Sequence, residues 1–171
     1  MLQWVLFVLT VLALGLLMIR KPLWLVPLLA IAVALEISST WYPDLGRVGD
    51  LLGIVSLTRL TSVALILAAF FRLFYIKELR QKFRAILKDP LTLILLIYII
   101  LGAASMLYSA DLSKTLAETI RLLVLFAVFL SIALLMDKNK ALLPFHAVHL
   151  TALALAPLSF YEAFTGNAIW H

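Results

Sequence analysis

Apolar runs of near membrane length, broken by short polar or basic stretches, set the pattern of this chain. Leu2–Ile19 carries only Gln3 and Thr10 as polar residues. Its 18 residues would span about 27 Å at 1.5 Å per residue. Arg20-Lys21 follows, and Pro22 suits the first turn of a second helix, because a missing N–H costs nothing there. Leu23–Leu35 is apolar, and the run reaches Trp41 by including Glu36, Ser38, Ser39 and Thr40. Trp41 and Tyr42 read as an interfacial belt. Tyr42–Arg59 reads as a loop, with Pro43-Asp44 and glycines 46, 49 and 53. Further apolar runs cover about 60–76, 91–107, 116–136 and 141–161. The pattern therefore predicts an all-α, polytopic membrane fold of six helices, about 2–19, 23–41, 60–76, 91–107, 116–136 and 141–161. No soluble domain is visible, and 1–171 reads as a single transmembrane region.

Two helix signals refine this pattern. Thr115-Leu-Ala-Glu118 has the spacing of a capping box and predicts the start of the fifth helix. Pro144 and Pro157 fall inside the sixth, where neighbouring helices can satisfy the freed carbonyls. Gly102, with Ser105 and Met106, reads as close helix packing.

Composition supports a lipid solvent. The chain has 171 residues, 65% hydrophobic and 13% charged, against about half apolar and a quarter charged in a soluble domain. With no cysteine, disulfides, thiolate nucleophiles and Cys-ligated metals are excluded.

Charge then orients the helices. The stretch Arg72–Lys88 holds six cations against Glu78 alone, and Asp89-Pro90 closes it. Between two apolar runs this reads as a cytoplasmic loop, because Lys and Arg resist translocation. A nucleic-acid patch would need a soluble domain to present it. With this stretch inside, Arg20–Lys21, Arg72–Lys88 and Asp137–Lys140 hold ten of the 14 cations, while Arg47, Arg59, Lys114 and Arg121 lie outside. Both ends of the chain are then expected outside.

Candidate chemistry is sparse. Arg121 lies near the outer end of the fifth helix, one turn after Glu118, and guanidinium suits bidentate capture of phosphate. An Arg121–Glu118 ion pair is the structural alternative. Arg59 occupies a similar position on the third helix, and Glu36 reads as an interfacial acid. His146 and His149 share a helix face but lack a third ligand of suitable type, so no metal site is expected. The glycines of the 42–59 stretch follow no strand and fit no phosphate-cradling motif.

The order of features resembles the amino-terminal half of the O-antigen ligase/polymerase superfamily of bacterial envelope proteins. The likeness rests on Arg20-Lys21-Pro22, on SLTRL at Ser56–Leu60 and on the basic stretch that follows. It continues through SADLSKTL at Ser109–Leu116, Arg121, and YEAFTGNAIW at Tyr161–Trp170. The resemblance implies a multi-pass glycosyltransferase of the bacterial inner membrane, acting in lipopolysaccharide or other cell-envelope polysaccharide biosynthesis. Its partners would be the bilayer and an undecaprenyl-pyrophosphate-linked glycan, with no nucleic acid, metal or cofactor. Arg121 and Arg59 would face the lipid pyrophosphate, with Glu118 as a structural partner. The family's catalytic arginines and histidine surround a later periplasmic loop, so no catalytic residue is carried over. The chain is expected to be part of a longer protein and inactive alone. Other classes stay open: a polyprenyl-phosphate glycosyltransferase using Asp44 or Asp50 as base, or a small transporter or assembly scaffold, for which Pro144 and Pro157 are the hints of a broken helix.

Overall fold

A computed structural model describes residues 2–35, 56–109, 112–137 and 140–165. Among the described residues the fold is all-α, with no strand. The helices are α1 (Leu2–Arg20), α2 (Leu25–Leu35), α3 (Leu57–Tyr75), α4 (Lys77–Leu87), α5 (Pro90–Ala104), α6 (Leu112–Leu135) and α7 (Leu143–Thr165), with 3-10 turns at Pro22–Trp24 and Ser105–Tyr108. They divide between two compact units, Met1–Ala64 with Lys138–His171, and Leu65–Asp137.

In the first unit, α1 ends where the sequence predicts. Lys21 leaves helical geometry at φ −142° and ψ 61°, and Pro22 opens the 3-10 turn at its first position. The Trp24 N–H donates to the Lys21 carbonyl at 2.9 Å, and the turn leads into α2. Leu25, Val26, Leu29 and Ala32 of α2 are buried, and α2 packs chiefly on α7. A helix apolar on all faces needs such cover from its neighbours. Pro144 is not inside α7 but in its first turn, where its lack of an N–H is harmless. Pro157 is interior as expected. The expected run of the second helix to Trp41, the aromatic belt, Glu36 and most of the glycine-containing loop lie outside the described residues. Of that loop Ser56–Arg59 is described, and Leu57–Arg59 is helical: Ser56 Oγ accepts from the Arg59 N–H at 3.3 Å and caps α3.

The second unit corrects the reading of the basic stretch as a plain loop. Only Ile76, in extended geometry at φ −109° and ψ 109°, interrupts it, and Lys77–Leu87 is α-helical. The reason is periodicity: Leu79, Phe83, Ile86 and Leu87 recur at helical spacing on one side of an otherwise charged segment. The Asp89-Pro90 stop behaves as the sequence predicts. The Asp89 carboxylate accepts from the Leu91 N–H at 3.1 Å, and Pro90 takes the first position of α5. Between α4 and α5 the direction changes by 70°. α5 packs on α6, and α4 touches both. Gly102 faces α6, yet a Cβ built there would sit 3.5 Å from Leu122 Cδ1, an ordinary contact. Close packing therefore does not require glycine at this position.

Among the described residues, three helical stretches are long and apolar enough to cross a membrane by length and composition: Gln3–Arg20, Leu57–Tyr75 and Lys114–Leu135. Counting the bent α4–α5 pair as one span makes four, while Pro22–Val33 and Leu143–Pro157 are shorter apolar helical stretches. The fourth expected helix, about 91–107, is divided between α5, which stops at Ala104, and the 3-10 turn Ser105–Tyr108 that continues it. The 15 residues of α5 reach about 22 Å and the four of the 3-10 turn add about 8 Å, against a hydrocarbon core of about 30 Å.

Candidate functional site

The best candidate residues lie at the start of α6. This helix begins at Leu112, a turn earlier than the capping-box spacing predicts, so Thr115 is inside the helix and is not its cap. The Thr115 hydroxyl pairs with that of Ser109. Thr119 donates back to the Thr115 carbonyl at 2.9 Å. Released from capping, Glu118 accepts from Arg121 Nη1 through Oε1 at 2.6 Å. Both side chains are largely exposed, at 68% for Arg121 and 56% for Glu118. The contact joins one guanidinium nitrogen to one carboxylate oxygen, unlike the two parallel bonds of a bidentate fork. An exposed pair at this spacing contributes only about 0.2–0.5 kcal/mol, so an anionic ligand can displace Glu118 at little cost.

Down the same helix runs an apolar groove of about 220 Å³. Leu122, Leu125, Phe126 and Phe129 of α6 form one wall, and Leu95, Tyr98 and Ile99 of α5 the other. Glu118, Leu122, Leu125 and Phe129 recur at intervals of four, three and four residues, so the ion pair and the groove share one side of α6. Phe126 and Phe129 stack with ring centroids 6.4 Å apart. Tyr98 and Leu125 are more than half exposed, which leaves the groove open. An amphiphile with an anionic head and a hydrocarbon tail matches this order of cation and apolar lining.

Arg59 belongs to the first unit and Arg121 to the second. Arg59 lies in the first turn of α3 and is exposed. There its cation adds to the positive end of the helix dipole, an arrangement that attracts anions. His146 and His149 are both exposed on α7, and among the described residues no group of His, Asp or Glu is spaced to hold a metal.

A further side chain escaped the sequence reading. Lys82 of α4 donates to the carbonyls of Leu134 at 3.0 Å and Met136 at 2.7 Å, with the Asp137 carboxylate 3.4 Å away. The last carbonyls of a helix lack intrahelical donors, and a cation suits the negative end of the dipole. Lys82 therefore fastens α4 to the end of α6. The available signal was its place beside Leu79, Phe83 and Ile86, on the side of α4 turned away from the other cations.

Comparison with known proteins finds no matching protein family, no matching characterised protein and no matching solved structure.

Proposed function

We propose that this chain is a six-span protein of the bacterial inner membrane that supplies membrane helices to a glycosyltransferase of the O-antigen ligase/polymerase type. Its donor would be a polyprenyl-pyrophosphate-linked glycan at the outer face, with Arg121 at the pyrophosphate and Arg59 as a second outer cation. The observation that carries the reading is the succession on α6 of an exposed, weakly paired guanidinium and an open apolar groove. A pyrophosphate leaving group gains from such a cation, and a prenyl tail gains from the lining below it.

The membrane environment is supported by the apolar surface. Trp4, Val5, Val8, Leu9, Leu12, Leu16 and Ile19 are exposed along α1 alone. Apolar patches beyond a few hundred Å² are rare on soluble monomers. In lipid the same side chains meet a solvent of their own kind. The positive-inside count gives the proposed orientation of the spans.

Disrupting the gene in its source organism tests the reading. Loss of a surface glycan, with accumulation of polyprenyl-pyrophosphate-linked repeat units, is expected. An unchanged glycan profile and an unchanged lipid-linked pool would overturn it.

A further inference from the structure

The cations of α4 are not scattered. Lys77, Arg80 and Arg84, with the C-cap residue Lys88, are all exposed, and at helical spacing they fall within an arc of roughly 80°. Leu79, Phe83, Ile86 and Leu87 form the adjoining arc and are partly covered. Lys82, the fifth cation, is engaged with the end of α6. The helix thus sets one cation against protein and aligns four along its edge. An apolar arc flanked by Lys and Arg is the pattern of a helix lying in the plane of a membrane interface. The 70° bend between α4 and the apolar α5 supplies an independent geometric reason. If α5 runs along the bilayer normal, α4 lies close to the membrane plane.

We infer that α4 is an in-plane interfacial helix whose Lys77–Arg80–Arg84–Lys88 edge binds the headgroups of anionic phospholipids on the cytoplasmic side. The inference rests on the membrane reading above but is independent of glycan transfer. Four aligned cations against phosphodiester headgroups give charge complementarity, while Leu79, Phe83 and Ile86 set the depth of the helix. The long stems of Lys and Arg let the apolar arc enter the acyl boundary while their charges stay with the phosphates. An engaged cation near such a surface corresponds to roughly a fivefold preference for anionic lipid.

The test uses the full chain in nanodiscs containing spin-labelled phosphatidylglycerol or spin-labelled phosphatidylcholine, and measures the fraction of each lipid immobilised at the protein. Wild type is expected to prefer phosphatidylglycerol several-fold and to lose that preference as salt rises. Arg84→Gln should lower the preference by up to about fivefold. Lys77→Gln/Arg80→Gln/Arg84→Gln/Lys88→Gln should abolish it while leaving thermal unfolding unchanged, because Lys82 is retained. A nitroxide at Gln81→Cys should report headgroup depth in wild type. Equal association of the two lipids in wild type, or a label at Gln81 far out in bulk water, would overturn the inference. So would tight duplex-DNA binding that the fourfold variant loses while no lipid preference exists. An alkaline carbonate wash separates the two levels: release of the chain into the soluble fraction would overturn the membrane reading itself, whereas an integral chain without lipid preference would overturn only the role of α4.

Discussion

Replacing Lys82 by Met should be the most damaging neutralisation of a cation on α4, although the side chain lies outside the apolar core. Met keeps most of the length and apolar volume of the stem and removes only the ammonium. Two carbonyls at the end of α6 then lose a charged donor at 3.0 and 2.7 Å. Hydrogen bonds from charged groups contribute about 1.5–3 kcal/mol each. The Lys82 side chain is 34% exposed, so water replaces part of that interaction. A net loss of about 1 kcal/mol per bond, or about 2 kcal/mol in all, follows. Asp137 adds little, being 3.4 Å away and 71% exposed. Asp137→Asn should therefore cost less than about 0.5 kcal/mol. Lys77→Met is the matched control, since Lys77 is exposed at the start of the same helix. The assay is reversible unfolding of the purified chain in mixed micelles, followed by helicity as denaturing detergent is added. About 2 kcal/mol is a shift of roughly 30-fold in the unfolding equilibrium. If Lys82→Met unfolds within about 0.5 kcal/mol of wild type, or no more easily than Lys77→Met, the tether contributes nothing and the reasoning fails.

Gly102→Ala should be tolerated and should raise stability by about 0.5–1 kcal/mol in the same unfolding assay, because the added methyl meets Leu122 at ordinary contact distance and lowers the freedom of the unfolded chain. In a chain without cysteine, an impermeant thiol reagent applied to intact cells should label Tyr108→Cys and spare Gln81→Cys; the reverse pattern would invert the proposed topology. Arg121→Lys should sharply reduce photo-cross-linking to a polyprenyl-pyrophosphate analogue while the protein still accumulates, because ammonium lacks the planar fork that grips phosphate oxygens in pairs. Glu118→Gln should leave that cross-linking intact or increase it, at a stability cost of only about 0.5 kcal/mol. Unchanged cross-linking in Arg121→Lys would remove Arg121 from the pyrophosphate site.

What the sequence determined by itself is what depends on neighbours in the chain. The apolar runs predict helices over most of their length because hydrophobic periodicity is a local property. The breaks at Lys21-Pro22 and Asp89-Pro90 were legible for the same reason: proline fixes its own backbone, and the Asp89 carboxylate reaches an N–H two residues on. Tertiary structure decided the rest. At 11 residues α4 is below the length at which an isolated helix is stable in water, so its packing on α5 and α6 turns the basic stretch from loop into helix. Thr115–Glu118 had the spacing of a cap, but the earlier start of α6 redirected the Glu118 carboxylate to Arg121. The apolar groove exists only because α5 and α6 lie side by side. Lys82 looked like any other cation of the run until the fold brought it to a carbonyl 52 residues away, and an unfilled acceptor at a helix end attracts whichever donor the packing delivers.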